Sequence, residues 1–353
     1  MISNMDNTFS NVLVTGATGF IGAHVVDNLL EKGFNVRAVA RSKQKADLMR
    51  QARKAYDSKL KFVFIQDLSQ EGAFNGLLDG IDGIIHVASV SVHFLKRKPL
   101  NYSVADKEKE LIIPAITGVR SILEAAARSP AKRVVMTSSF GGVLDMNRPL
   151  TSEWTYSEKD WNPITYAEAI SPDATPQDAY RASKKFAEQE AWRFMETKTP
   201  DFDLVTLCPS MVFGPVAHPV SSVQNLNESN ALLWRVANSD GNTPLPPARF
   251  NFWIDVRDLA EIHVKALLTP QAGGKRYLPV APEKFNYQLA SEIIARNFPS
   301  AASSATAEKQ KILENVNVDR KNLDEDFDMA YRRFEETVVD FTKQAYRMAG
   351  PST

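Results

Sequence analysis

The sequence has 353 residues, enough for one large domain or two ordinary ones. Its hydrophobic fraction of 44% and charged fraction of 24% are typical of a globular protein, and its formal net charge is zero. This balance of charge argues against a general attraction to nucleic acid or to an anionic membrane surface. No apolar run approaches the roughly 20 residues of a membrane helix.

The N-terminus and the cysteine content indicate the compartment. Residues 1–10 are polar and lack the basic and apolar regions of a signal peptide. The single cysteine, Cys208, cannot form an internal disulfide, so we expect a cytoplasmic protein. Cysteine and histidine do not cluster at the spacing of metal ligands, so we expect no metal.

The first half of the chain alternates short β-branched strands with helical patterns. Residues 11–15 form a predicted strand that runs directly into glycine, and Ile21, Val25 and Leu29 then recur at the spacing of one helix face. This alternation predicts an α/β fold in which a doubly wound parallel sheet carries helices on both faces. Further strands are predicted at residues 35–40, 61–65, 83–87, 133–137 and 203–208.

The pattern changes after the sixth predicted strand. Prolines interrupt residues 209–250, whereas residues 283–350 are mostly helical and charged. We expect a nucleotide-binding core over residues 1–208, to which residues 251–270 return. Residues 209–250 and 271–353 are expected to form a smaller C-terminal substrate-binding lobe.

Three glycines separate the first strand from the first predicted helix, in the sequence Thr15-Gly-Ala-Thr-Gly-Phe-Ile-Gly22. The first permits a tight turn, the second lets the backbone approach a pyrophosphate, and the third lets the helix pack closely on the strand. The helix N-terminus supplies unpaired N–H groups and a partial positive charge. Because a strand precedes the loop and a helix follows it, dinucleotide binding is favoured over an ordinary turn. We expect cofactor contacts at Gly16, Thr18, Gly19, Phe20, Ile21 and Gly22.

The end of the second strand indicates which dinucleotide binds. An NAD site usually has an acidic residue about 20 residues further on that holds the ribose 2′-hydroxyl. No carboxylate is present from Val36 to Lys43. Arg41 lies at the strand end with Arg37 and Lys43 nearby, and a guanidinium suits a 2′-phosphate. Solvated surface cations are the alternative, but the missing acid favours NADPH, with Arg41 and Lys43 near the phosphate.

Tyr180 is the only one of nine tyrosines with a lysine four residues later, in Tyr180-Arg-Ala-Ser-Lys184. Residues four apart share a helix face, so Lys184 can lie beside the phenol and lower its pKa. An exposed helical pair is the alternative. Ser138 and Ser139 end the fifth strand, where a serine can hydrogen-bond a substrate carbonyl or cap a turn.

The glycine loop, Ser139 and the Tyr180–Lys184 pair together resemble the extended short-chain dehydrogenase/reductases, over essentially the whole chain. Finer features resemble the branch that holds fungal NADPH-dependent aldehyde, ketone and methylglyoxal reductases together with dihydroflavonol reductases. The resemblance implies a Rossmann-type oxidoreductase that reduces the carbonyl of an aldehyde or ketone with NADPH. The motifs that carry the finer resemblance are Arg41-Ser42, His86-Val-Ala-Ser89, Val134–Ser139, Trp161-Asn162, Phe213-Gly-Pro215 and Ile254–Ala260.

The resemblance also implies roles for single residues. Ser139, Tyr180 and Lys184 are implied as catalytic, with Tyr180 as the general acid and Lys184 also binding the ribose hydroxyls. Further cofactor contacts are implied at Asp67, Leu68, Val87, Ala88, Ser89, Ser138, Pro209, Ser210 and Val212. The implied substrate site is apolar, and for Phe213 and Trp234 a place in the core is an equal alternative. Its expected walls are Phe94, Phe140, Met211, Phe213 and Trp234.

Two other functions stay open at this point. A sugar-nucleotide epimerase or dehydratase would need an acidic NAD determinant and cations in the C-terminal lobe, yet residues 209–250 carry only Arg235 and Arg249. A non-catalytic NADP-sensing protein often lacks the tyrosine or the lysine, and both are present here. We therefore expect a small-molecule carbonyl substrate and a monomeric or homodimeric protein.

Overall fold

A computed structural model describes residues 9–88, 106–240, 243–298 and 309–350. The six predicted strands are present, and each end lies within one residue of its predicted position. The strands are β1 (Asn11–Thr15), β2 (Asn35–Ala40), β3 (Leu60–Phe64), β4 (Gly83–His86), β5 (Arg133–Thr137), β6 (Trp154–Tyr156), β7 (Asp203–Leu207), β8 (Met211–Phe213), β9 (Trp253–Asp255), β10 (Arg276–Tyr277) and β11 (Val316–Val318). The helices are α1 (Phe20–Glu31), α2 (Lys43–Ala52), α3 (Ile113–Ala127), α4 (Tyr166–Ile170), α5 (Pro176–Lys198), α6 (Glu228–Ala237), α7 (Val256–Leu268), α8 (Tyr287–Asn297), α9 (Lys321–Phe327) and α10 (Phe334–Ala349).

Seven of these strands form one parallel sheet in the order β10-β7-β5-β4-β1-β2-β3. The predicted doubly wound parallel sheet is thus confirmed. The strand order reverses between β1 and β4, and open α/β sheets bind ligands outside the carboxyl ends of the strands at such a point. The two-residue edge strand β10 was not predicted, because it is too short to produce a periodic pattern.

Neighbouring residues of β1 face opposite sides of the sheet, as the two-residue period of a strand requires. Val14 packs with Val25 of α1 and Leu259 of α7 on one face. Leu13 packs with Ile122 of α3 on the other. Both faces are therefore covered by helices, and the carboxyl edge of the sheet is left to form the site.

Residues after β7 build a further apolar cluster, in which α6, α8 and α10 surround the two-stranded sheet of β8 and β9. Phe213 is fully buried there, with ring centroids 5.1 Å from Phe285 and 6.2 Å from Phe334. The helical character predicted for residues 283–350 is confirmed by α8, α9 and α10.

Helix α5 begins one turn before Tyr180, and its start is fixed by a capping box. Thr175 Oγ1 accepts a hydrogen bond from the backbone N–H of Asp178 at 3.1 Å, and Thr175 N–H donates to the Asp178 carboxylate at 3.3 Å. Pro176 follows at the first helical position, where its missing N–H costs nothing. In the four described ranges, no helix has both the length and the apolar composition to cross a bilayer.

Candidate active site

The glycine loop joins β1 to α1 at the carboxyl edge of the sheet. Gly16 has φ of +67°, and a Cβ there would lie 2.8 Å from the backbone nitrogen of Ala88. A Cβ on Gly22 would lie 2.2 Å from the carbonyl oxygen of Gly16. Gly19 precedes α1 without a side-chain cap, so the first N–H groups of this helix can bind an anion.

The cations predicted at the end of β2 separate into two groups. Arg41 and Lys43 are exposed at the strand end and at the start of α2. Desolvation lowers the pKa of Arg41 below its ordinary value, and the charge of Asp67 opposes this effect. Arg37 instead donates hydrogen bonds to the carbonyl oxygens of Leu77 at 2.7 Å and Asp79 at 3.1 Å. Arg37 is therefore held by the protein. Arg41 and Lys43 stay the candidates for phosphate binding because of their exposed place at the strand end.

Ser139 and Tyr180 interact although they come from different elements. The Ser139 hydroxyl oxygen accepts a hydrogen bond from the N–H of Gly141 at 3.0 Å, so its own hydrogen can be donated elsewhere. Tyr180 is partly buried in the second turn of α5. Burial raises the pKa of Tyr180, and a hydrogen bond with the Ser139 side chain opposes this rise without cancelling it.

Lys184 follows Tyr180 by one helical turn, and its Nζ lies 5.9 Å from the centroid of the Tyr180 ring. Burial lowers the pKa of Lys184 to about 8, while the negative charge of Glu188 acts in the opposite direction. That Lys184 lowers the pKa of Tyr180 stays a prediction. Desolvation of the phenol is the largest effect, and it raises that pKa.

Glu188 is a residue of the site that the sequence analysis missed. It follows Lys184 by one further turn of α5, so Tyr180, Lys184 and Glu188 share one helix face. The Glu188 carboxylate is fully buried and accepts hydrogen bonds from Ser138 Oγ at 2.8 Å and Arg276 Nε at 2.8 Å. The four-residue spacing was the signal that could have revealed it.

The segment after β4 is tied to the end of β1. Ala88 N–H donates to Thr15 Oγ1 at 3.1 Å, and the same oxygen lies 2.9 Å from His86 Nδ1. Burial lowers the pKa of His86 to about 4, with a further contribution from the charge of Lys184, so the imidazole is neutral near pH 7. Val87 is partly buried against the core. Ser89 lies outside the described residues.

The segment after β7 contains a buried hydroxyl that fits a ligand. The carbonyl oxygen of Pro209 accepts a hydrogen bond from Phe140 N–H at 2.9 Å, which joins this segment to the end of β5. Ser210 Oγ is buried and has no hydrogen-bond partner among the described residues. A bound ligand could supply the partner that such an atom lacks among the described residues. Val212 is buried two residues further on.

The predicted substrate residues divide between the interior and the surface. Phe213 has no exposed surface, so its assignment as a pocket wall is corrected to a core position. Phe140 is also buried, with its ring centroid 5.6 Å from Tyr156 and 5.5 Å from Phe252. Met211 and Trp234 are partly exposed. Phe94 lies outside the described residues.

Among the residues implied near the adenine, Asp67 lies in a turn after β3. Its Oδ1 accepts hydrogen bonds from the N–H of Ser69 at 2.9 Å and from its hydroxyl at 2.6 Å. Leu68 is partly buried against the core. Gln66, the residue that precedes Asp67, donates to the carbonyl oxygen of Arg41 at 3.1 Å, so this turn lies beside Arg41.

Residues 12–286 match the NAD dependent epimerase/dehydratase family, and the chain belongs to this family of extended short-chain dehydrogenase/reductases. The chain is 37% identical over 343 residues to a putative uncharacterised oxidoreductase of Schizosaccharomyces pombe, covering 96% of this chain and 97% of that protein. It is 33% identical over 303 residues to the putative NADPH-dependent methylglyoxal reductase GRP2 of Candida albicans, covering 83% and 84%. The crystal structure of Gre2 from Candida albicans in complex with NADPH matches with a TM-score of 0.84 and 29% identity, covering 95% and 98%. The Rossmann-type fold implied by the sequence is confirmed.

Proposed function

We propose that this protein reduces the carbonyl group of an aldehyde or ketone to an alcohol with NADPH. The observation that carries the proposal is the interaction of Ser139 with Tyr180, beside Lys184, at the carboxyl edge of the sheet. Relatives named as NADPH-dependent methylglyoxal reductases support both the cofactor and the reaction class.

The residues of the site fit NADPH. The contacts that exclude a Cβ at Gly16 and Gly22 keep the loop open to a pyrophosphate, and Ser210 has a buried hydroxyl without a partner among the described residues. The glycine loop would hold the pyrophosphate, and Arg41 and Lys43 the 2′-phosphate. The bound cofactor supplies the hydride. We assign the remaining contacts to Asp67 and Leu68 at the adenine, Val87, Ala88 and Lys184 at the ribose, and Ser138, Pro209, Ser210 and Val212 at the nicotinamide.

Ser139 and Tyr180 perform the proton chemistry. Their hydroxyl groups would both donate to the substrate carbonyl oxygen, where negative charge grows during reduction. Because burial raises the pKa of Tyr180, the phenol is protonated near neutral pH and can act as the general acid. Gly141 N–H fixes the acceptor side of the Ser139 hydroxyl, which directs its hydrogen away from the backbone.

Epimerisation or dehydration of a sugar nucleotide is less compatible with the C-terminal segments. Arg235 donates to the carbonyl oxygen of Pro244 at 2.8 Å, and Arg249 to that of Met146 at 2.6 Å. Both cations of residues 209–250 are thus engaged by the backbone rather than collected into a diphosphate site. The end of β2 also lacks the carboxylate that an NAD site would use.

We further propose that residues 209–250 and 271–353, apart from strand β10, form the substrate-binding lobe. Met211 and Trp234 are the partly exposed candidates there. The compartment we propose is the cytoplasm, and the assembly a monomer or homodimer.

A panel of aldehydes, ketones and 2-oxoaldehydes, assayed by loss of NADPH absorbance, tests the proposal. We expect turnover of several of these compounds. Turnover of nucleotide sugars in their place, with NAD bound, would contradict the reductase proposal, and no turnover of any compound would favour a sensing protein.

A further inference from the structure

The buried carboxylate of Glu188 connects the elements that carry the site. It lies on α5, and it accepts hydrogen bonds from Ser138, directly after β5, at 2.8 Å and from Thr206 of β7 at 2.7 Å. The Cys208 thiol donates to both of its oxygens at 3.3 and 3.4 Å. Arg276 of β10 completes the set with bonds of 2.8 and 3.2 Å. One side chain therefore connects helix α5 with strands β7 and β10 and with the residue that follows β5.

Two of these partners are adjacent in sequence to a residue of the proposed site. Ser138 precedes Ser139, and Cys208 precedes Pro209. Ser138 and Lys184 also line the same small cavity, of about 20 Å³. A change at Glu188 would consequently be transmitted to several groups that surround the reacting carbonyl.

Glu188 also lies one helical turn from Lys184 on the same face of α5, where its negative charge favours the protonated lysine. Burial lowers the pKa of Lys184 to about 8, and Glu188 opposes this effect. Two other titratable groups interact with Lys184, namely Cys208 and His86. The Cys208 thiol is neutral, because burial and the charge of Glu188 raise its pKa far above neutral pH. The His86 imidazole is also neutral, because burial lowers its pKa to about 4. Among the described groups that shift the pKa of Lys184, only Glu188 is therefore charged near pH 7.

The carboxylate remains ionised despite its burial. Desolvation raises its pKa, but the charge of Arg276 and the hydrogen bonds from Arg276, Thr206 and Ser138 outweigh that effect, and the net pKa is lowered. Arg276 is itself held, since it donates to the carbonyl oxygens of Glu158 at 2.9 Å and Asp160 at 2.6 Å. An apolar pair could replace a buried ion pair without loss of stability, but it would leave Lys184 without a counter-charge.

We propose that Glu188 is a positioning residue of the reductase, which holds the end of β5 and presents its negative charge to Lys184. This inference rests on the proposed function, in which Lys184 acts beside Tyr180. Glu188 touches neither substrate nor cofactor in this account, and it acts through Ser138 and Lys184. It is therefore distinct from the catalytic residues.

The test compares Glu188→Gln with Glu190→Gln in the full chain. Glu190 is a matched control, because it lies on the same helix, is also mostly buried and pairs with Arg120 and Arg193 at 2.8 and 2.7 Å. The measurement is the pH dependence of kcat/KM at saturating NADPH. Loss of a neighbouring negative charge should lower the pKa of Lys184. We therefore expect kcat/KM to begin to fall at a pH about one unit lower in Glu188→Gln than in the wild type. Glu190→Gln should keep the wild-type profile.

A second readout separates this inference from the proposed function. The pKa of Lys184 is measured in the free protein by NMR of ¹³C-labelled lysine, with Lys184→Arg to assign the signal. It should be about 8 in the wild type and lower in Glu188→Gln. If Glu188→Gln does not fold, Glu188→Asp replaces it, and retention of the wild-type profile and pKa is expected because the charge is kept. The inference is overturned if the pKa of Lys184 is unchanged in folded Glu188→Gln, or if it is lowered in Glu188→Asp. If the pKa values are as expected but the wild-type protein is inactive, only the proposed function is overturned.

Discussion

Gly22 of helix α1 lies directly against the carbonyl oxygen of Gly16, so a Cβ at position 22 would come within 2.2 Å of that oxygen. We predict that Gly22→Ala weakens NADPH binding about tenfold or more, since backbone strain of this kind costs about 1–3 kcal/mol. Fluorescence titration with NADPH measures the effect. Gly76→Ala is the control, because position 76 has a φ of +70° but open space around it. It should lose stability and keep its affinity, and equal affinity in Gly22→Ala would contradict the prediction.

The cofactor preference is predicted to depend on Arg41. Arg41→Ala should lower kcat/KM with NADPH by about 10- to 100-fold, because hydrogen bonds to charged groups contribute about 1.5–3 kcal/mol. The efficiency with NADH should change little. Lys61→Ala is a suitable control, because Lys61 is an exposed cation at the opposite, amino end of β3. A wild-type protein that uses NADH as well as NADPH would show that the missing acid after β2 was misinterpreted.

Two residues of β8, Met211 and Phe213, are predicted to affect different properties. Phe213→Ala should lower the free energy of unfolding by about 3–5 kcal/mol, the usual cost of removing a buried aromatic ring. Met211→Ala, at a partly exposed position, should instead change KM with a smaller effect on stability. Urea denaturation and steady-state kinetics of both variants separate the two roles. A change of KM in a stable Phe213→Leu variant would restore Phe213 to the substrate site.

Stability is predicted to fall with acid partly because His86 is buried as the neutral form. Burial lowers its pKa from 6.5 to about 4, so the unfolded chain binds more protons than the folded one between these values. The stability that His86 contributes by staying neutral is fully present above pH 6.5. It is lost as the pH falls toward 4, at up to about 1.4 kcal/mol per pH unit. Unfolding free energies of the wild type and His86→Leu at several pH values test this, and the variant should show the shallower dependence. Parallel curves would mean that His86 does not titrate in this range.

Local patterns in the sequence determine how much of this structure could be predicted. The strands and the glycine loop were predictable because the periodicity of apolar residues and the special conformation at Gly16 are local properties. The Glu188–Arg276 pair was not, since its members are 88 residues apart and meet only when β10 joins the sheet beside β7. The backbone partners of Arg37 and the choice between core and pocket for Phe213 could not be predicted for the same reason. Their side chains take their direction from segments that are distant in sequence.

The most direct test of the account is the turnover of Tyr180→Phe at saturating NADPH. This change removes only the phenol hydroxyl, so the fold and NADPH affinity should survive. Turnover should fall about 10²- to 10⁴-fold, the usual loss for a positioned general acid. Tyr166→Phe is the matched control, because the Tyr166 hydroxyl donates to Glu108 at 2.8 Å and belongs to none of the proposed site residues. This variant should keep wild-type turnover. Carbonyl reduction by Tyr180→Phe at close to the wild-type rate would contradict the assignment of Tyr180 as the acid.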